Sequence, residues 1–135
     1  MATRSYIGVR NSDDTVDYIY CHYDGYPSNN GKILVENYND PTKVNQLLRL
    51  GDLSILGTEI GEKHDFDSKE DKYSNWCLAY GRDRGESDTQ VKTRPFSELI
   101  NDDGVDYVYV FDGEMWECFS TYNDETFNLY SEDIS

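Results

Sequence analysis

After Arg94 the chain has no lysine or arginine, yet Pro95 to Ser135 holds 11 of its 27 acidic residues. The whole sequence carries 12 bases and a formal net charge of -15, and residues 1–94, with 16 acids to 12 bases, are only mildly acidic. A one-signed field of this kind is repelled by DNA, RNA and anionic lipid, which argues against direct nucleic-acid or membrane binding. Cysteine is sparse and odd in number: Cys21, Cys77 and Cys118 lie far apart and make neither a CxxC metal pair nor a disulfide framework. No apolar run approaches the roughly 18 residues of a membrane span, and the opening Met1-Ala-Thr-Arg4 has no apolar segment of the secretory kind. A reducing cytoplasm is the expected compartment, with no metal and no cofactor.

What the chain has is rings. Hydrophobic residues make up 37% of the sequence, and among them are 12 Tyr, 5 Phe and 2 Trp. High charge with low hydrophobicity raises the question of disorder, but disordered segments are poor in aromatics, and here the rings sit in alternating runs. At 135 residues the chain is expected to form one domain spanning 1–135. The mixed-charge stretch 61–74 reads as an exposed loop. The acidic segment 122–135 reads as a last helix or a mobile terminus.

Periodicity places the elements. Thr3 to Arg10 and Thr15 to His22 alternate as strands around the turn-rich quartet Asn11-Ser-Asp-Asp14, giving a first hairpin. Ser28 or Asn29 caps a helix running to Tyr38, and Asp40 with Pro41 starts a second, burying Val44, Leu47 and Leu48. Asp52 to Leu56 suggests a short helical turn, Trp76 to Tyr80 a strand, Gly81 to Gly85 a tight basic turn, and Arg94 to Ile100 one or two helical turns. Val105 to Phe111 and Glu114 to Phe119 flank Asp112-Gly113 as a second hairpin. The fold class is therefore α+β, a mainly antiparallel sheet of two hairpins plus a further strand with two to three helices packed on it. A doubly wound fold is disfavoured for want of regular strand–helix alternation and of a glycine fingerprint.

Candidate chemistry is thin, and no catalytic residue is assigned. Cys21-His-Tyr-Asp24 gathers a thiol, an imidazole and a carboxylate, but adjacent strand residues point to opposite faces, so Cys21 and His22 cannot form an activated pair. His64-Asp-Phe-Asp67 resembles a phosphohydrolase signature that needs further histidines, and the chain has only two. A small-ligand alternative uses the glycine-containing loop Asp24 to Gly31, with Asp24, Tyr26 and Asn30, together with Arg4 and the Arg82/Arg84 turn, to hold a nucleotide.

The acidic hairpin carries the leading reading. Asp106, Glu114 and Glu117 lie on strands beside Tyr107, Tyr109 and Trp116, and Asp112 sits at the turn. Carboxylates held about 7 Å apart along a strand can stand in for phosphates against an Arg- or Lys-lined groove. Asp106, Asp112, Glu114 and Glu117 are the expected contacts, with Tyr107, Tyr109 and Trp116 as apolar anchors. The partner would be a protein with a basic surface.

Thr3-Arg-Ser-Tyr-Ile-Gly8, Tyr20-Cys-His-Tyr-Asp-Gly-Tyr-Pro27 with Asn30-Gly31, Gly51-Asp-Leu-Ser54 and Ala79-Tyr-Gly-Arg-Asp-Arg-Gly-Glu86 together resemble a family of small proteins encoded in bacteriophage genomes. The resemblance covers most of residues 1–86 and brings no activity or site with it. It implies a host cytoplasm as the setting. By analogy of origin and charge it favours a non-enzymatic inhibitor of a host protein, acting in counter-defence or host takeover as a DNA mimic.

Overall fold

The computed structural model describes residues 2–68, 70–122 and 125–130. Eight strands form a single mixed sheet with four short helices. The strands are β1 (Ser5–Arg10), β2 (Thr15–Cys21), β3 (Leu53–Ile55), β4 (Leu78–Ala79), β5 (Lys92–Pro95), β6 (Tyr107–Phe111), β7 (Trp116–Ser120) and β8 (Thr126–Phe127). The α-helices are α1 (Lys32–Asn37), α2 (Pro41–Arg49), α3 (Tyr80–Arg84) and α4 (Phe96–Leu99), with a 3-10 turn at Asp71–Tyr73 and a π-helical turn, Pro27–Gly31, that runs into α1, so that neither Ser28 nor Asn29 caps it as expected. Sheet order is β4-β3-β2-β1-β6-β7-β8, with β5 also paired to β2.

Both expected hairpins form, β1 with β2 and β6 with β7. They are joined through a parallel pairing of β1 with β6, in which Ser5 lies opposite Tyr107 and Val9 opposite Phe111. A second parallel contact sets Cys21 against Leu53. The sheet is thus mixed, although most of its pairings are antiparallel. One edge of β2 serves two neighbours: its first half pairs with β5 and its end with β3. Between them the Asp52 carboxylate accepts the Tyr20 N–H at 3.0 Å, closing the gap in the ladder with a side chain.

Alternation splits the strands between two cores. Ile7, Ile19, Cys21, Tyr109, Phe111, Trp116 and Cys118 face Leu34 and Tyr38 at the α1 end and Val44, Leu47 and Leu48 of α2. Val16, Tyr18, Val108 and Val110 face the other way, against Leu99 and Val105. The α2 start follows its sequence signal, since Asp40 accepts the Thr42 N–H at 2.9 Å and Pro41 opens the helix.

Several expectations are corrected. Asp52 to Leu56 contains β3 rather than a helical turn, because its backbone completes β2 through His22 N–H to Leu53 O and Tyr23 N–H to Ser54 O, each 3.0 Å. Gly81 to Gly85 is no tight turn. Residues 80–84 form α3, and Gly85 ends it at a φ of 74° that glycine adopts without strain. Arg94 and Pro95, expected in the helical turns reaching Ile100, instead end the edge strand β5 (Lys92–Pro95), where Pro95 closes the pairing, and the helix is Phe96–Leu99. The loop 61–74 is not wholly solvent-facing, since His64 stacks on Tyr73 with ring centroids 4.6 Å apart and packs against Trp76. Within the terminal segment 122–135, Thr126–Phe127 form β8 on β7, and residues 123, 124 and 131–135 lie outside the described residues.

Candidate partner-binding surface

Because β1 and β6 run parallel with Val9 opposite Phe111, the two hairpin turns leave the sheet side by side at the same end. Adjacent strands are about 4.8 Å apart, so the turns are close neighbours. The first turn carries Asp13 and Asp14, the second Asp112 and Glu114, and all four side chains are exposed. Asp40, the α2 cap, overhangs the same end. Its neighbour Pro41 lines a notch together with Val9, Val44, Asn45, Phe111 and Gly113. The fold has therefore gathered acids from three distant parts of the chain.

Little opposes them. Arg10 donates from Nε and Nη2 to Asp14 Oδ1 at 2.9 and 2.6 Å, and its guanidinium lies 3.9 Å from the centre of the Phe96 ring on the opposite side of the sheet from α2. Lys43 of α2 turns away, its Nζ donating to Thr58 O and lying over the Tyr38 ring. Among the described residues Asp13, Asp40, Asp112 and Glu114 have no ion-pair partner.

The carboxylates are also held in place. Asp112 Oδ1 accepts the Met115 and Glu114 N–H groups at 2.8 and 2.9 Å, and these two bonds hold the Asp112 carboxyl below the usual aspartate range. Gly113, at φ 103°, allows the chain to turn beneath it. In the first turn Asp13 Oδ1 accepts the Thr15 hydroxyl and N–H at 2.6 and 3.2 Å, lowering its pKa in the same way. Apolar surface stands beside the acids: Met115 is 49% exposed and Tyr130 42%. Tyr130 is anchored by its hydroxyl, which accepts the Trp116 N–H at 2.9 Å.

The sequence-expected contacts are dispersed by this arrangement. Asp112 and Glu114 lie at the acidic end. Asp106 precedes β6 at the other end, about 20 Å away by strand rise, where it accepts the Arg4 N–H and the Tyr122 hydroxyl. Glu117 is half-buried opposite Val110 on the other face. Two of the three anchors are corrected outright. Tyr109 is fully buried with its hydroxyl donating to Gly25 O at 2.6 Å, and Trp116 is 2% exposed with Nε1 donating to Tyr38 O at 2.8 Å. Tyr107 is half-buried, edge-on to Phe127. Both faces of this hairpin carry apolar residues, so parity alone could not assign the inner one. The overlooked residues are Asp13, Asp40, Met115 and Tyr130, which the β1–β6 pairing, the seating of α2 over the sheet end and the Trp116–Tyr130 hydrogen bond bring to one place.

The residues of the small-ligand alternative also separate. Asn30 is fully buried, donating from Nδ2 to Ser5 Oγ at 3.3 Å and Cys21 Sγ at 3.5 Å, so it ties the glycine-containing loop to the sheet. Arg82 spends its guanidinium internally on Asp83, Ile60 O and Cys77 O. Arg84 pairs with Glu86 at 2.6 Å and lies over Phe66 and Tyr80. Arg4, Asp24 and Tyr26 remain exposed, Asp24 with a positive φ of 57°. Arg4 falls near Tyr20, whose hydroxyl is 2.7 Å from His22 Nδ1, while the His22 and Tyr23 rings meet edge to face at 4.5 Å.

Groups suited to catalysis are engaged elsewhere. Cys21, Cys77 and Cys118 are buried and free, and burial pushes the Cys21 and Cys118 thiols up to about 12, far from a reactive thiolate. His64 Nδ1 lies 2.7 Å from Glu62 O and 3.5 Å from the buried Asp83 carboxylate, which also accepts the Ala79 N–H. Among the described residues no three His, Cys, Asp or Glu side chains cluster as metal ligands, and no helix is long and apolar enough to cross a membrane. A scan against protein-family models finds no match, and neither a search of curated proteins nor a search of solved structures finds one.

Proposed function

We propose that this chain is a binding protein without chemistry of its own, which occupies a basic, nucleic-acid-binding surface of another protein and thereby inhibits it. The contact face is the acidic end of the sheet. One observation carries the reading: Asp13, Asp40, Asp112 and Glu114 are brought to one end from separate parts of the chain, and none of them is ion-paired among the described residues. Carboxylates already fixed by turn hydrogen bonds lose little freedom on binding and steer a cationic partner from a distance. The resemblance of residues 1–86 to phage-encoded proteins supports a host protein as the target.

The test is affinity capture from a bacterial lysate with the tagged chain and with the double variant Asp112→Asn, Glu114→Lys, which removes the charges but keeps an oxygen for the turn hydrogen bonds, at low and high salt. Basic nucleic-acid-binding proteins should be enriched by the parent at low salt, released by added salt, and missed by the variant. Enrichment that ignores both the substitutions and the salt rejects the reading.

A second reading rests on the rings of Tyr20, His22 and Tyr23 beside Arg4, which has no ion pair among the described residues. Such a patch suits stacking with a nucleobase while the guanidinium takes its phosphate. A thermal-shift screen with nucleotides separates the two, since a specific ligand raises the melting temperature by mass action and an acidic end repels it.

A further inference from the structure

The notch at the acidic end is an apolar opening about 140 Å³ in volume. Its floor is buried, with Val44 and Phe111 each 1% exposed, while Pro41, Asn45 and Gly113 at its mouth are exposed. It lies where α2 starts over the sheet at the ends of β1 and β6. An apolar cavity of about 150 Å³ accepts one benzene-sized group, so this opening holds one branched aliphatic or small aromatic side chain. Its surroundings are Asp40 on one side and Asp112 with Glu114 on the other, the residues flanking Pro41 and Gly113.

Resting on the function proposed above, we infer that this notch is a specificity pocket, and that the segment bound there has a single apolar side chain flanked by arginines or lysines. Charge on the rim selects basic segments. The notch then selects among them for the apolar residue, a division seen where a central apolar anchor sits inside a polar ring. Neither feature suffices alone: an acidic rim without a pocket binds any polycation, and a pocket without the rim binds any exposed leucine.

The experiment uses synthetic arginine-rich peptides that differ only at one central position, Leu or Ala, and follows backbone amide shifts of the full chain by NMR. The leucine peptide should bind about tenfold tighter or better, from the extra apolar area it buries, and should move the Val9, Val44 and Gly113 amides. Asn45→Trp, which changes an exposed residue at the mouth and so spares the core, should abolish that preference while leaving salt-dependent binding. Equal affinity for the two peptides, or a leucine preference that survives Asn45→Trp, overturns the pocket. Salt-sensitive binding without a preference would do so while leaving the charge-based function standing, whereas no binding to either peptide overturns the pocket and counts against the function as well.

Discussion

The two ends of the β6–β7 hairpin carry the same kind of residue to opposite purposes. At the β6 start, Asp106 accepts the Arg4 N–H, and nearby Asp102 takes hydrogen bonds from Arg94 Nη1, Tyr6 OH and Gly104 N–H, each at 2.8 Å. These carboxylates hold the fold together. At the β6–β7 turn, Asp112 uses one oxygen to shape its own loop, and both it and Glu114 are exposed to solvent. A count of acids cannot tell these uses apart. What separates them is whether the surrounding backbone and side chains bring donors to the carboxylate.

The comparison is sharpened first by the rings. Trp116→Ala should cost about 3–5 kcal/mol in urea unfolding, because it empties a core site and orphans Tyr38 O, whereas Met115→Ala one residue earlier should stay within about 0.5 kcal/mol. Similar losses from the two would mean that the face assignment of β7 is wrong. Next, Asp102→Asn should destabilise by about 1–2 kcal/mol through loss of charge-assisted hydrogen bonds.

The pH dependence of that site has a definite sign. Burial works to raise the Asp102 carboxyl, but the Arg94, Gly104 and Tyr6 hydrogen bonds outweigh it and hold the folded value below the ordinary one. A depressed folded pKa contributes stability that is fully present above the unfolded aspartate range near about pH 4 and is lost as pH falls through the folded value. Urea midpoints should therefore fall on acidification below about pH 4, and the fall should be smaller in Asp102→Asn. A parallel decline in both proteins would remove Asp102 from the account.

Smaller still, Asp40→Ala should cost about 1 kcal/mol through its lost helix cap. The smallest effect is expected from Asp112→Asn with Glu114→Lys, which keeps an oxygen for the Met115 and Glu114 N–H groups: a change in unfolding free energy within about 0.5 kcal/mol that leaves partner capture as the property lost. A large destabilisation would make those residues structural like Asp102 and dissolve the contrast between the two ends.

Much of the fold was legible where local chemistry is strong. Asp40-Pro41, the alternation in both hairpins and the Val44, Leu47, Leu48 stripe each correspond to observed structure. Short or polar strands were not: Leu53–Ile55 is three residues long, and Lys92–Pro95 owes its strand geometry to the edge of β2 rather than to its own composition. The acidic surface was half legible. Asp112 and Glu114 stood out by charge, but Asp13 and Asp40 belong to a front half whose nearly balanced composition hides them until β1 lies beside β6.

The pairing of β1 with β6 joins positions about a hundred residues apart, Ser5 with Tyr107 at one end and Val9 with Phe111 at the other. Closing a loop of that length is entropically slow, so this seam should be among the last parts of the sheet to zip during folding. The gathering of acids at one end is consequently absent from any chain lacking the second hairpin, and the four carboxylates become neighbours only once β6 has docked on β1.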